Sequence, residues 1–438
     1  MTTSTATPTG FLDGLAAGIG SIAGEPDAVV ARRLEASRSF AAAGLPTPRQ
    51  EAWRFTNLKT LAATPHAAAA PASADIGAWA FSNSHRLVMV NGRFSAGLSD
   101  LDGLPSGATL RPLADALADD PDQVLAVLGR DVDVERHPFA ALNTAGFTDG
   151  VFLHLESGTV VDRPIHLLHV SVGADMPTWS APRIVVVAES TSQATIVEHY
   201  VGTGGETLTV PVTEFRLAAG ANIRHCRLQE ESPTARHIAL QTSRQDRDSR
   251  LDSVALNVGA ALMRTDIDAV LAEPGCHASL DGLYLVEDHQ HTDTHLDVRH
   301  AAPHCTSHEL YKGILDGSSR GVFNGRIIVD QDAQKTDAIQ SNRNLLLSSG
   351  ALVNSNPQLE IFADDVRCTH GSTVGRLDDE AVFYLRSRGI DRPTAESMLT
   401  YAFAAEIVDL VPVDEVRERL EQHLVSRLPQ GEAAREAF

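Results

Sequence analysis

The chain of 438 residues is poor in cysteine, in aromatic residues and in basic residues. Its four cysteines include no C-x-x-C pair, which argues against a disulfide framework and predicts reduced thiols in a cytoplasmic chain. Phe, Trp and Tyr make up only 5% of the residues, so aliphatic side chains must fill the core. Lys and Arg number 36 against 57 Asp and Glu, and the net charge of −21 disfavours nucleic acid as a partner.

Long apolar runs and nucleotide-binding motifs are also missing. No apolar run is long enough to cross a membrane, so we expect no membrane span. Residues 1–10 are polar, lack the pattern of a signal peptide and predict a disordered tail. The glycine-rich segment 202–205 has no lysine, and no phosphate-binding loop occurs elsewhere. Any ATP hydrolysis linked to this protein must therefore come from another chain.

The sequence does have enough apolar residues, 43%, for a large core, and its pattern changes along the chain. Residues 1–135 predict an N-terminal region of helix and loop that includes the disordered tail. Residues 136–377 contain short β-branched runs such as Arg183–Ala188, separated by small and polar residues. Residues 378–438 return to helical spacing. This order predicts a mainly β core flanked by two helical regions.

The strand-rich region is roughly periodic. Turn-like clusters begin at Ala219, Asp248, Gly275, Gly317 and Ser349, with gaps of 29, 27, 42 and 32 residues. This spacing predicts the stacked rungs of a β-helix with one long insertion, and it exceeds the spacing of about 8–12 residues that is typical of sandwiches. No helical segment interrupts the strands, which disfavours a βαβ sheet.

The C-terminal region predicts three helices. Asp378 can cap a helix that ends at Gly389, and Asp391 can cap a second helix. The third helix has an apolar stripe at steps of four residues, formed by Val416, Leu420, Leu424 and Leu428. We expect the stripe to cover the body of the same chain or to bind a partner.

The Cys368-Thr369-His370 sequence is the first candidate for metal chemistry. Alternate residues of a strand point to one face, so the Cys368 thiolate and the His370 imidazole would project side by side. Thiolates suit iron–sulfur clusters, and imidazole can replace a thiolate on iron. The alternative is a buried cysteine beside a surface histidine.

A histidine-rich stretch is the second candidate. It holds six of the 18 histidines of the chain, namely His289, His291, His295, His300, His304 and His308. The first three share the parity that would place them on one face of a strand, where they could bind Zn²⁺ or Fe²⁺ in a metal-dependent enzyme. Pro303 argues that the strand does not continue, so a solvated loop or a subunit interface is the alternative.

Two further enzyme classes receive little support from the sequence. Residues 317–321 match the G-x-S-x-G pattern of hydrolases, but residues 322–327 predict a strand or turn where that motif requires a helix. A β-solenoid acting on carbohydrate would need paired carboxylates in a groove, and no isolated pair stands out.

A series of long motifs carries a family resemblance that is densest from about residue 285 to 410. The motifs are EAWRFTNL at 51–58, LYKGILDG at 310–317, SSRGVFNG at 318–325, AQKTDA at 333–338, QSNRNLLL at 340–347, PQLEIFADDVRCTHG at 357–371 and FYLRSRG at 383–389. Together they resemble the SufD family, a subunit of the SUF iron–sulfur cluster assembly complex. The paralogous SufB subunit is related, but the Tyr-Lys-Gly and Cys-x-His blocks are more similar to SufD.

The resemblance implies a right-handed parallel β-helix with helical domains at both ends. It implies a non-catalytic scaffold subunit that pairs with SufB through the β-helices and docks the ATPase SufC on its C-terminal helices. A homodimer is a further expectation for the isolated chain. Cys368 and His370 match the family's Cys-x-His pair, near the SufB–SufD interface where the nascent cluster is expected. The family complex is also linked to reduced flavin, for which the sequence indicates no residue.

The cysteine pattern is consistent with a transient cluster shared with a partner. A cluster needs about four ligands, and four scattered cysteines do not form a self-contained site. Two neighbouring ligands at an interface would form a half-site, and a shared half-site is labile, as release of a product requires. The apolar stripe of the third helix then becomes a candidate docking surface.

Overall fold

The computed structural model describes Ile22 and residues 24–436. The disordered tail predicted for residues 1–10 lies outside these described residues. In the part of the chain that the structure covers, no helix has both the length and the apolar character that a membrane span requires.

Strands dominate the middle of the chain. They are β1 (Ala67–Ala68), β2 (His85–Val90), β3 (Arg93–Phe94), β4 (Ala108–Pro112), β5 (Gly150–Leu155), β6 (Ile165–Ser171), β7 (Thr178–Ser180), β8 (Arg183–Ala188), β9 (Gln193–Gly202), β10 (Thr207–Thr209), β11 (Val212–Leu217), β12 (Asn222–Glu230), β13 (Arg236–Gln245), β14 (Arg250–Asn257), β15 (Leu262–Leu271), β16 (His277–Val286), β17 (His291–His300), β18 (Thr306–Leu315), β19 (Arg320–Val329), β20 (Asp337–Leu346), β21 (Leu352–Ile361) and β22 (Arg367–Gly375).

Two sheets form a parallel β-solenoid. Sheet A runs β21-β19-β17-β15-β13-β11-β8-β5-β4, and sheet B runs β22-β20-β18-β16-β14-β12-β9-β6-β2-β3. The chain alternates between the sheets, so one strand from each builds a rung. Neighbouring rungs are parallel and in register, as where Leu262 to Leu271 lie opposite His291 to His300. The predicted mainly β fold with a parallel solenoid core and helices at both ends is confirmed.

Helices lie at both ends of the solenoid. They are α1 (Asp27–Ala43), α2 (Lys59–Ala63), α3 (Leu113–Asp119), α4 (Pro121–Leu125), α5 (Pro138–Gly146), α6 (Asp379–Ser387), α7 (Arg392–Val408), α8 (Asp414–Arg427) and α9 (Gly431–Arg435), with short 3₁₀ helices at Glu51–Trp53 and Ala96–Leu98. Phe40 of α1 and Phe139 of α5 share an apolar cluster with Phe152 and Val185 of sheet A. The N-terminal helices therefore pack on the first rungs.

The N-terminal region also supplies strands to both sheets. β2 pairs in parallel with β6, and its other edge is covered by the antiparallel strand β3. β4 covers the edge of β5 in the same antiparallel way. The solenoid therefore begins before residue 136, and this end carries covering strands that limit edge-to-edge association.

The long insertion predicted between Gly275 and Gly317 is wrong. Each rung has two turns, and Gly275 lies in a turn from sheet A to sheet B, whereas Gly317 lies in a turn from sheet B to sheet A. The next turn of the first kind contains Pro303, whose carbonyl accepts a hydrogen bond from the Gly275 amide. Its left-handed residue is His304, at φ 61°, so no glycine marks this turn in the sequence.

The C-terminal helices begin where their capping residues predict. The Asp378 carboxylate accepts from the Glu380 amide at the start of α6, and Gly389 follows that helix at φ 91°. Asp391 accepts from the Thr394 amide at the start of α7. These local hydrogen bonds explain why the boundaries were visible in the sequence.

The apolar stripe of α8 is buried within the same chain, between the neighbouring C-terminal helices and sheet B. Val416, Leu420 and Leu424 are fully buried in one cluster with Leu283 and Leu310 of sheet B. Of the two expectations for this stripe, contact with the body of the same chain is confirmed, and the stripe is not free to be a docking surface because its area is already buried.

Candidate functional site

Cys368 and His370 lie on β22, the last strand of sheet B among the described strands. The register with β20 places Cys368 opposite Ala338 and His370 opposite Gln340. Ala338 packs with the inward side chain of Ile327, and Gln340 lies beside Gly325 on the opposite wall. Cys368 and His370 therefore share one face of β22, directed toward the solenoid interior where the stack of rungs ends.

The Cys368 thiol is half-buried, and the His370 side chain is exposed. Burial, together with the nearby carboxylate of Asp337, raises the pKa of the Cys368 thiol. The thiol is therefore protonated at neutral pH in the isolated chain, and a bound metal ion would have to displace this proton.

The end of the solenoid that carries these two residues is open. β21 and β22 are the outermost strands of sheets A and B in the described structure. Several large apolar side chains on or beside the last strands are exposed, namely Ile339, Leu352, Ile361, Phe362 and Val374. Unpaired edges and exposed apolar side chains together are typical of a surface that pairs with another chain.

A buried carboxyl lies one rung below Gln340. Glu309 of β18 is opposite Gln340, whose amide donates to it, and the Ser307 hydroxyl donates to Glu309 at 3.3 Å. Burial raises the pKa of Glu309 to about 7. The stacking order His370, Gln340, Glu309 therefore places a titratable group in the interior beneath the candidate site.

The Glu309 position was not predicted from the sequence. Its inward parity on the strand was readable, but its alignment with His370 depends on the register of three strands that are far apart in the chain. Ser307 is itself 3.0 Å from His300 Nε2, so one member of the histidine-rich stretch belongs to this interior polar chain.

The histidines of residues 289–308 are otherwise separated. His291 and His295 are on the outer face of β17, and His308 lies on sheet B. His289 and His304 lie in turns. Within the described residues no group of three or more His, Cys, Asp or Glu side chains is arranged to hold a metal ion. The histidines of this stretch therefore do not converge on one site, because two lie in turns and the others are divided between the two sheets.

His291 and His295 instead help to attach the N-terminal motif at residues 51–58. The Thr56 hydroxyl donates to Asp293 Oδ2 at 2.5 Å and lies 2.9 Å from His291 Nε2. The Arg264 guanidinium stacks on Trp53 at 3.8 Å and pairs with Asp293 at 2.6 Å. Burial opposes ionisation of Asp293, but Arg264 and His295 lower its pKa on balance. This cluster has a structural role.

The G-x-S-x-G segment does not form a nucleophile elbow. β19 begins at Arg320, where the motif requires a helix, and Ser319 is buried in the preceding turn. The structure therefore agrees with the weak support for a hydrolase.

Comparison with known proteins identifies the class. Residues 169–403 match the family model described as SUF system FeS cluster assembly, SufBD core domain, and residues 81–167 match the SufBD protein N-terminal region. The chain belongs to the SufBD family of iron–sulfur cluster assembly proteins.

Relatives named SufD make the assignment more specific. The chain is 32% identical over 397 residues to the iron–sulfur cluster assembly protein SufD of Escherichia coli, covering 89% of this chain and 90% of that protein. It is 26% identical over 294 residues to SufD of Bacillus subtilis, covering 66% of each. A SufBD family protein of Synechocystis is 35% identical over 416 residues, with 92% of both chains covered. The predicted SufD resemblance is confirmed.

Proposed function

We propose that this chain is a non-catalytic scaffold subunit that pairs with SufB, docks the ATPase SufC and contributes Cys368 and His370 to a shared cluster site. The observation that supports this most directly is the position of both side chains on one face of β22, at the open end of the solenoid. Ligands at an edge can be completed by a second chain, whereas ligands inside the stack could not.

The donor set fits half of a coordination sphere. One thiol and one imidazole are suitable ligands for iron, and a cluster needs about four. The cluster is the cargo of the complex, so a site that comes apart with the interface allows its release. The flavin expected from the resemblance has no assigned residue in this chain.

Pairing with SufB is proposed to use the open end. The last strands offer unpaired main-chain groups, and the adjacent Phe362 is 62% exposed. A second solenoid with similar strands can add to these edges by main-chain hydrogen bonding. The same edges would allow two copies of this chain to pair when SufB is absent.

Docking of SufC is proposed to use the outer surface of the C-terminal helices, since the inner surface is buried. Lys312 attaches this helical domain to the solenoid by donating to the Phe403 carbonyl at 2.8 Å. A force applied to the C-terminal helices would therefore be transmitted through Lys312 to sheet B near the open end.

Co-expression with the matching SufB and SufC proteins tests the proposal. We expect one stable complex containing the three chains, and Cys368→Ala or His370→Ala should leave this complex intact but lower the cluster yield on anaerobic reconstitution. Thr369→Ala is the matched control, because Thr369 points to the opposite face of β22. Soluble chains that never associate, or cluster yields that are equal in all variants, would overturn the proposal.

The isolated chain provides a second test. Reconstituted anaerobically without SufB, it should hold no complete and durable cluster, because it owns only part of the ligand set. A stable cluster spectrum from the single chain, abolished by Cys368→Ala, would show that the site is not shared.

A further inference from the structure

The turns from sheet A to sheet B place one small side chain in the same buried corner of successive rungs. In the register of sheet B, the corner residue is the one just before each strand. The corner residues are Ser192, Ala221, Ser249, Cys276, Cys305 and Thr336, and all are buried. Two of the four cysteines of the chain therefore occupy equivalent positions in neighbouring rungs.

Most corner residues make the same hydrogen bond to a carbonyl three positions earlier. The Ser192 hydroxyl donates to the Glu189 carbonyl at 2.6 Å, and the Ser249 hydroxyl donates to the Asp246 carbonyl at 2.6 Å. The Cys276 thiol donates to the Glu273 carbonyl at 3.0 Å. Serine thus serves the corner as well as cysteine does, and the fold itself does not require adjacent thiols.

The two thiols converge on one oxygen. Cys305 Sγ lies 3.3 Å from the Glu273 carbonyl, the same atom that accepts from Cys276. The Thr306 amide donates to the Cys276 carbonyl at 2.9 Å, so the two corners are joined by the ladder. Neighbouring strands lie about 4.8 Å apart, within the range of about 4.4–6.8 Å between Cα atoms that a disulfide spans.

The thiol pair also differs chemically from the other cysteines. The interaction between the two neighbouring thiols lowers the pKa of Cys276 and raises that of Cys305. Cys226 lies in the apolar cluster beneath the C-terminal helices, where burial raises its pKa to about 12. Cys276 is therefore a better nucleophile than Cys226.

We propose that Cys276 and Cys305 form a redox-active dithiol that closes reversibly to a disulfide linking two neighbouring rungs. With hydrogen peroxide as the oxidant, the Cys276 thiolate attacks one peroxide oxygen and the other oxygen leaves as water after protonation, which gives a sulfenic acid. Cys305 sulfur then forms the S–S bond and displaces the sulfenic oxygen as a second water. Two thiols lose two electrons and two protons, and one peroxide becomes two waters.

The corner is close to the surface, although both sulfurs are covered. Glu273 and His304 in the adjoining turns are exposed, and neither thiol is held in the middle of a strand. A molecule of the size of peroxide needs only a local movement of these turns, while the ladders on either side stay paired.

The test uses the full chain with Cys368→Ala, which removes the half-buried thiol of the last strand. After treatment with hydrogen peroxide and removal of the excess, thiols are alkylated under denaturing conditions and counted by mass. We expect two of the three remaining thiols to be lost, a chain lighter by two hydrogen atoms, a cross-linked peptide pair containing residues 276 and 305, and full recovery with dithiothreitol.

Serine variants supply the matched controls. Cys276→Ser and Cys305→Ser, each in the Cys368→Ala background, should melt at the same temperature as the parent and form no intramolecular link. Retention of all three thiols at peroxide doses that oxidise free glutathione would overturn the proposal. An equal loss of thiols in the Cys276→Ser chain, or oxygen addition at Cys276 without a link, would overturn it as well.

Discussion

The Tyr-Lys-Gly motif shows how three consecutive residues serve three different contacts. The ring of Tyr311 fills the space left by Gly282, where an added Cβ would lie 2.4 Å from the ring. Gly313 leaves the equivalent space for the ring of Tyr284. Lys312 points to the other face and reaches helix α7. Tyrosine rings therefore lie beside glycines on the inner face of sheet B. Each ring fills the space that a glycine leaves, which keeps the narrow interior of the solenoid closely packed.

Replacing Gly313 tests this interlocking. A Cβ at residue 313 would lie 2.1 Å from Tyr284 Cε2, so Gly313→Ala must displace a buried ring. We expect a loss of about 1–3 kcal/mol in the free energy of unfolding, measured with denaturant. Gly375→Ala is the control on the same sheet, because no atom lies within 4 Å of the added Cβ. Equal stability of the two variants would contradict the packing argument.

Glu309 predicts a pH dependence of stability. Burial raises its pKa from 4.5 to about 7 in the folded chain, so folding favours the protonated acid. The contribution is fully present below the unfolded pKa and is lost as the pH rises through about 7. Ser307 and Gln340 hydrogen-bond to Glu309, while Asp281 raises and His308 lowers its pKa. In Glu309→Gln the group stays neutral at every pH.

The comparison of wild type and Glu309→Gln isolates this group from all others. The free energies of unfolding should be similar near pH 5, and the variant should be more stable by up to about 3 kcal/mol near pH 8. Denaturant titrations at several pH values provide the measurement. Parallel pH profiles for the two chains would show that the carboxyl is not buried as described.

At the scale of elements, the sequence predicted most where the signals are local. The run Arg183–Ala188 is a strand with the predicted ends, and Asp378 and Asp391 cap helices α6 and α7. The turn at His304 was missed because a histidine occupies the position where glycine is expected. The sequence did not predict the order of the rungs correctly, because each rung has two turns and a single repeat length cannot describe both.

The candidate site likewise combines features that local sequence predicts with features that it does not. The side-by-side placement of Cys368 and His370 follows from parity on one strand, and the structure shows it. The alignment of Gln340 and Glu309 beneath His370 follows from register between strands, which no local pattern specifies. The sequence also did not predict which surface the apolar stripe of α8 contacts, since an apolar face alone does not identify what covers it.

The attachment of α8 to the solenoid predicts a stability effect. Glu230 of β12 accepts from Arg419 Nε at 2.5 Å and lies 2.7 Å from His423 Nε2, and these two partners are on α8. Burial opposes ionisation of Glu230, but His199 and the α8 partners lower its pKa on balance. Glu230→Gln should cost about 2 kcal/mol and raise the rate at which proteases cleave α8.

The matched control for this element is Glu418→Gln on the exposed side of α8. It removes the same charge from the same helix and should leave both stability and proteolysis unchanged. Similar cleavage rates in the two variants would mean that Glu230 does not hold the helix.

At the scale of the whole molecule, the two ends of the solenoid differ. The first rungs are covered by antiparallel strands and by the N-terminal helices, whereas β21 and β22 end the stack without such cover among the described residues. A parallel ladder that ends in open edges has main-chain N–H and C=O groups that can hydrogen-bond to another chain. Exposed apolar side chains lie beside these edges. The proposed pairing with SufB uses this asymmetry, because the open end is also the end that carries Cys368 and His370.

A charge placed at the open end should therefore disrupt pairing without unfolding the chain. Phe362→Asp changes an exposed side chain just after β21, so we expect unchanged thermal stability and at least about tenfold weaker binding to SufB, which corresponds to about 1.4 kcal/mol. Val160→Asp is the matched control, since Val160 is also exposed but lies beside the first rungs. Binding of both variants to immobilised SufB provides the measurement. Equal weakening of binding by the two substitutions would mean that SufB does not bind at the open end. SufB could then not supply the ligands that the half-site at Cys368 and His370 lacks.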